Sequence, residues 1–134
     1  MLFGDEHVRR YEETDGEVGH IWLNDTPVLV LTTTGRKSGA TRKSALIYQE
    51  YGDSYVVVAS KGGADTHPDW YLNLRANPRV EVQVGAETFA AEARTAGAEE
   101  RAELWPKMAA VWPDYDKYQA STDREIPVVV LDRV

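Results

Sequence analysis

Four cations and two glycines fall within nine residues of this chain, Gly35-Arg36-Lys37-Ser38-Gly39-Ala40-Thr41-Arg42-Lys43, in a protein of net charge −7. Glycine lets a loop turn with its N–H groups inward, and guanidinium and ammonium groups add positive charge suited to a phosphate or carboxylate. The same composition also describes a solvated hairpin turn between two strands, so the loop by itself leaves both readings open. A second set is Ala59-Ser60-Lys61-Gly62-Gly63, followed by Pro68-Asp69-Trp70-Tyr71-Leu72-Asn73. It sets a hydroxyl, a cation and bare backbone at a strand end, with flat apolar surface on the helix that follows. That combination suits a planar ring with polar edges; in isolation it is equally a loop beside core aromatics. Trp112, Tyr115 and Tyr118, spaced i, i+3, i+6, share a face if 114–120 is helical, and there they line a pocket or pack on the core.

Other chemistries lack their residues. The chain has no cysteine, which removes disulfides, zinc thiolate sites and thiol nucleophiles. His7, His20 and His67 stand far apart and at no metal-ligand spacing, so each reads as a surface or loop histidine. Ser60 near Asp65, His67 and Asp69 lacks the glycine frame of a nucleophile elbow. No Gly-x-Gly-x-x-Gly joins a strand to a helix, and Gly35 to Lys43 does not fit the phosphate loop of nucleotide hydrolases. The acidic balance disfavours nucleic acid and anionic membrane as partners, because either would meet repulsion without a basic face. Cations gathered at one loop therefore point to a small, localised anion. The first ten residues carry Asp5, Glu6, Arg9 and Arg10 and no apolar run of signal or anchor length, which predicts a cytoplasmic protein without a stable membrane anchor.

The elements that must position these residues are mostly strands. With 134 residues and 43% hydrophobic content the chain is expected to be one domain, 1–134, with its own core. Residues 27–34 and 45–51 read as a hairpin with the basic loop at its tip, and 55–60, apolar throughout its middle, as a strand buried on both faces and central to the sheet. Residues 80–84 and 88–94 read as a second hairpin and 127–131 as a closing strand. Helices are expected over 69–76, entered through Pro68 and stopped by Asn77-Pro78, and over 98–112, with Pro106 kinking or splitting it. Residues 6–14 suggest a polar helix lying loosely on the rest. The fold class expected is mainly β (α+β), an antiparallel β-barrel of about six strands with a few flanking helices, favoured over a doubly wound sheet.

Four motifs in order carry a resemblance: Leu31-Thr32-Thr33-Thr34-Gly35-Arg36-Lys37-Ser38-Gly39, Ala59-Ser60-Lys61-Gly62-Gly63, Trp70-Tyr71-Leu72-Asn73-Leu74 and Tyr115-Asp116-Lys117-Tyr118-Gln119. They resemble the deazaflavin-dependent nitroreductase and quinone reductase family of actinobacteria, from about Gly4 onward. The resemblance implies a split β-barrel and coenzyme F-420, a deazaflavin with a phospholactyl oligoglutamate tail, as hydride donor to quinones or to activated nitro and enone rings. Carried over, it implies that Arg36, Lys37, Ser38 and Arg42 hold the tail. Val58, Ala59, Ser60 and Lys61 would line the ring and its phosphate side. Asp69, Trp70, Tyr71, Leu72 and Asn73 would add backbone, indole and amide contacts, and Tyr115 would stand over the ring. The chain departs from the nitroreductase member at Trp112, where a tyrosine is expected, and in a shorter, more polar N-terminal segment.

A deazaflavin passes a hydride, so the protein must place the acceptor over the ring, exclude water and stabilise the charge that appears on reduction. Tyr115 is expected as the catalytic donor to the acceptor oxygen, with Ser60 as a second donor. The expected partner is a small-molecule electron acceptor, the assembly a monomer or homodimer, and a lipophilic quinone is expected to draw the protein to a membrane surface. Two alternatives share this architecture: a split-barrel protein binding flavin mononucleotide, and a non-catalytic carrier of deazaflavin or lipid.

Overall fold

In the computed structural model, which describes residues 2–134, runs of β-branched residues separated by tight turns form the sheet, and helices occupy the longer gaps. The strands are β1 (Ile21–Trp22), β2 (Thr26–Thr34), β3 (Thr41–Ile47), β4 (Gln49–Tyr51), β5 (Ser54–Val58), β6 (Arg79–Val84), β7 (Glu87–Thr95) and β8 (Val128–Arg133). The helices are α1 (Gly4–Glu13), α2 (Asp69–Ala76), α3 (Ala98–Val111) and α4 (Asp114–Ala120). All pairings among the described strands are antiparallel, in the order β1-β2-β6-β7-β8-β5-β4, with β3 also paired to β2.

The path curls because one segment borders both of its ends. β3 and β4 are separated only by the buried Tyr48, whose N–H donates to the Pro27 carbonyl at 3.1 Å; β3 pairs with β2 at one end of the path and β4 with β5 at the other. The product is a split β-barrel with flanking helices. The run expected as a single strand over 45–51 therefore starts earlier, at Thr41, and bends at Tyr48, so Arg42 and Lys43 are strand residues rather than loop residues. β5 lies between β8 and β4, next to the end of the path and not at its centre, because the short β4 covers its outer edge.

Alternation along β5 and β8 divides the core in two. Val57, Val129 and Leu131 point into the barrel with Leu29, Leu31 and Val82, closed by Tyr71 and Leu74 of α2. Val56, Val58, Val128 and Val130 point outward under Leu104 and Met108 of α3 and Tyr115 of α4. Each such side chain stabilises the fold by roughly 1.5–3 kcal/mol when fully buried. α3 runs unbroken through Pro106, which is exposed; the N–H it lacks leaves the carbonyl of the exposed Ala102 free to meet water.

α1 does not lie loosely. His7, Val8 and Tyr11 are buried, and Val8 and Tyr11 pack on Val28 and Val30 of β2. The Tyr11 hydroxyl accepts from the Gly85 N–H at 2.6 Å, while His7 Nε2 meets the Gly19 carbonyl at 2.8 Å. His7 is thus a satisfied core group, and His20 is bonded through Nε2 to the Tyr48 hydroxyl at 2.8 Å. Two of the three buried α1 side chains carry polar tips, which hid the apolar stripe from the sequence pattern.

Candidate functional site

The turn that joins β2 to β3 is closed by its own backbone: the Gly35 N–H donates to the Ala40 carbonyl at 2.7 Å and the Gly39 N–H to the Gly35 carbonyl at 2.9 Å. Ser38 Oγ accepts from the Ala40 N–H at 3.2 Å. Beside it opens a groove of about 970 Å³ whose lining includes Arg36, Lys37, Ser38, Arg42 and Lys43, with Asp69, Trp70 and Asn73 from α2 and Asp5, Arg9 and Glu12 from α1. The cations are not equivalent. Arg36 is tethered to α2, because Asn73 Oδ1 accepts from its backbone N–H at 3.1 Å and its Nη1 at 2.8 Å, and Asp69 lies 3.4 Å from its Nη2. Lys43 is paired with Glu12 of α1. Lys37 and Arg42 form no ion pair among the described residues and are exposed, so their charge is available to an incoming anion.

Next to the groove lies a smaller pocket of about 280 Å³, lined by side chains from five parts of the chain. Trp22 comes from β1, Ala45 to Ile47 from β3, and Val58, Ser60, Lys61 and Gly62 from the end of β5. Pro68 and Trp70 come from the start of α2, and Trp112, Tyr115 and Tyr118 from α4 and the residues before it. Trp22 and Trp112 stack with centroids 5.7 Å apart and planes 21° apart. The Trp112 indole donates to the Tyr118 hydroxyl at 3.4 Å, and Trp22 Nε1 to the Leu2 carbonyl at 2.8 Å. Tyr115, 5% exposed, forms no hydrogen bond through its hydroxyl among the described residues. Burial, and secondarily Tyr118, pushes its phenol above the ordinary value of 10, so it stays a proton donor at neutral pH. Trp70 lines both groove and pocket.

Lys61, Gly62 and Gly63, after β5, all take positive φ (48°, 65° and 84°). Gly62 needs the left-handed backbone but faces open space, whereas a Cβ on Gly63 would lie 2.9 Å from the Tyr118 Cα. Both glycines therefore serve the turn, and Gly63 also serves its contact with α4.

Of the residues singled out in the sequence, Arg36, Lys37, Ser38, Arg42, Asp69 and Asn73 gather at the groove, and Val58, Ser60, Lys61 and Tyr115 at the pocket, with Trp70 shared. Ala59, Tyr71 and Leu72 line neither. Ala59 is fully buried, with its N–H donated to Pro127 and its carbonyl accepting from Arg124 at 3.3 Å; Tyr71 is a core residue whose hydroxyl bonds Thr95 at 2.9 Å. Asn73 spends its carbonyl oxygen on Arg36, so it orients the cation. Trp22 was not singled out: β1 is two residues long in an irregular stretch, and a lone indole there carries no spacing signal.

The split barrel thus carries a cation-lined groove and an aromatic pocket that share one indole wall, Trp70. The model of the F420H(2)-dependent quinone reductase family matches residues 4–133, and the chain belongs to that family. It is an oxidoreductase, and its cofactor is coenzyme F-420. The chain is 40% identical to an F420H(2)-dependent quinone reductase of Mycobacterium tuberculosis, over 95% of this chain and 87% of that protein. Among solved structures it is similar to an F420-H2 dependent reductase, at 43% identity and TM-score 0.74 over 79% of this chain and 94% of the other. It is also similar to a protein described as a domain-swapped dimer, at 40% identity and TM-score 0.75 over 93% and 96%.

Proposed function

We propose that the protein reduces a quinone with the ring of coenzyme F-420 seated in the aromatic pocket and the tail in the basic groove. The observation that carries this reading is the shared wall: Trp70 borders both chambers, so one ligand with a flat ring and an anionic tail fills them together. The residues suit that group chemically. Lys37 and Arg42 offer uncommitted charge to phosphate and carboxylates, Arg36 is held at the same rim by Asn73, and Ser38 adds a hydroxyl.

When bound, the reduced coenzyme supplies the hydride. The chain's own residues do the rest. Val58, Ser60 and Gly62 at the end of β5 and Trp70 of α2 set the plane of the ring site. Trp22 and Trp112, stacked on one another in the pocket lining, exclude water. Tyr115 donates a hydrogen bond and then a proton to the quinone oxygen that becomes a hydroxyl, and solvent reprotonates the phenol. Ser60, which lines the same pocket, is the second donor. A quinone takes up one hydride and one proton to become a hydroquinone, so no metal or covalent intermediate is needed for balance. Activated nitro and enone rings place an oxygen similarly and belong to the same substrate class.

The reading puts the enzyme in the cytoplasm, meeting lipophilic quinones at a membrane surface; among the described residues no helix is long and apolar enough to cross a membrane. The solved relative that is a domain-swapped dimer supports a homodimer over a monomer. The test is to mix the protein with reduced coenzyme F-420 and a panel of quinones and to follow cofactor reoxidation by absorbance. Multiple turnovers with at least one quinone are expected. Tight binding without reoxidation by any acceptor would make the protein a carrier, and a protein that purifies with flavin mononucleotide and ignores the deazaflavin would overturn the cofactor placement.

A further inference from the structure

Arg124 lines neither chamber, yet its guanidinium reaches three backbone carbonyls of the turn that borders the pocket. It lies in the irregular segment after α4, half-buried. Its Nε donates to the Ala64 carbonyl at 2.7 Å, Nη2 to the Ser60 carbonyl at 2.7 Å and Nη1 to the Ala59 carbonyl at 3.3 Å, with Nη1 also 3.2 Å from His67 Nδ1. Its neighbours extend the seam. Ser121 Oγ donates to the Gly63 carbonyl at 3.1 Å and Thr122 Oγ1 to Asp65 Oδ1 at 2.8 Å.

This seam joins two walls that the reaction must keep in register. One is the turn at the end of β5, whose Ser60, Lys61 and Gly62 face the ring site; the other is α4, which brings Tyr115 and Tyr118. The turn has reason to need support. Three successive left-handed residues, the first of them the non-glycine Lys61, are unfavourable on their own, the lysine by about 1 kcal/mol or more. A planar fork reaching three carbonyls at once holds such a turn as a point charge would not.

We propose that Arg124 is a positioning residue: its guanidinium locks the 59–65 turn to the segment that follows α4, and so fixes the cofactor wall against the Tyr115 wall. The inference rests on the proposed function above and adds to it a residue that touches neither cofactor nor acceptor. Hydride transfer is steep in donor–acceptor distance, and misplacement by about 1 Å costs on the order of 10²-fold. The signature of Arg124 is therefore a slow chemical step in a folded protein that still takes up its cofactor.

The experiment compares Arg124→Lys and Arg124→Ala with wild type by three measurements. These are amide hydrogen exchange without cofactor, the dissociation constant for oxidised coenzyme F-420, and single-turnover reoxidation of the reduced coenzyme by menadione at saturating cofactor. Faster exchange is expected at Gly63 and Ala64, whose N–H groups are bonded within the turn. Cofactor affinity should fall by less than about tenfold while the saturated rate falls by roughly 10²-fold. Millimolar guanidinium ion should restore part of the rate in Arg124→Ala and none in wild type. Unchanged exchange at Gly63 and Ala64, or a saturated rate equal to wild type despite lowered thermal stability, overturns the proposal. If the wild-type protein itself fails to reduce menadione or any other quinone, the proposed function fails, and the exchange measurement still decides whether Arg124 holds the turn.

Discussion

The groove and the pocket meet at one indole and are built on opposite terms. The groove is open, charged and almost local in sequence, most of its cations coming from residues 36–43. The pocket is smaller, aromatic and collected from β1, β3, the end of β5, α2 and α4. Charge acts through solvent over several ångströms and tolerates movement, so a hairpin loop suffices to present it. Ring orientation and proton donation, the roles proposed for the pocket, tolerate little, and its walls lean on a barrel and on cross-links such as those of Arg124. The contrast predicts that changes in the groove alter how tightly the cofactor is held, whereas changes in the pocket alter how fast it reacts.

The largest effect that tests this division is expected from Tyr115→Phe, which deletes one hydroxyl and keeps the ring against Trp105 and Tyr118. Single-turnover reduction of a quinone should slow by ~10²-fold with cofactor affinity nearly unchanged. Loss of binding with an unaltered saturated rate would move Tyr115 from the acceptor side to the cofactor side. Because burial raises the phenol, wild-type turnover should also persist through pH 10 without a loss traceable to this group.

Lys37→Ala should act in the reverse sense. Removing a cation that has no ion-pair partner among the described residues should weaken cofactor binding by roughly 1.5–3 kcal/mol, more for longer glutamate tails, and flatten the dependence of affinity on salt. The saturated rate should hold. A Lys37→Ala protein that binds as tightly as wild type at low ionic strength would break the comparison, since the groove would then be an ordinary solvated turn.

The smallest effect concerns pH. Burial, then Arg124 and Arg75, hold His67 below its ordinary value of 6.5. The folded protein therefore resists a proton that the unfolded chain accepts. The contribution of His67 to stability is full above pH 6.5 and is lost as pH falls below it toward the lowered folded value. A thermal midpoint that declines over this range in wild type and less steeply in His67→Gln is expected. Equal slopes would show that the proton enters elsewhere.

Legibility in the sequence followed the same division. Contiguous cations between two β-branched runs mark a basic loop, and an antiparallel barrel is readable from strand lengths and tight turns. Less accessible was anything decided by tertiary contact. Pairing with Thr33 and Thr32 of β2 puts Arg42 and Lys43 on a strand, and no local residue marks the bend at Tyr48. α1 looks polar because Tyr11 and His7 bury rings whose polar atoms find backbone partners. Arg124, inside Ser121-Thr122-Asp123-Arg124-Glu125, has the composition of a solvated loop, and only the folded chain brings three carbonyls to it.

The position of β8 between β5 and β7 bears on how the chain becomes a protein at all. Leu131 pairs with Tyr55 on one side and with Ala93 on the other, so the barrel acquires its continuous sheet only through the element that follows every other in chain order. The hairpins β2–β3, β4–β5 and β6–β7 close short loops and form quickly; β5 must wait for a partner more than seventy residues ahead. During synthesis on the ribosome, Val56 to Val58 remain an exposed apolar edge until β8 has emerged. The strand whose end borders the aromatic pocket is thus among the last to be secured, and that wall takes its final place only once β8 has paired.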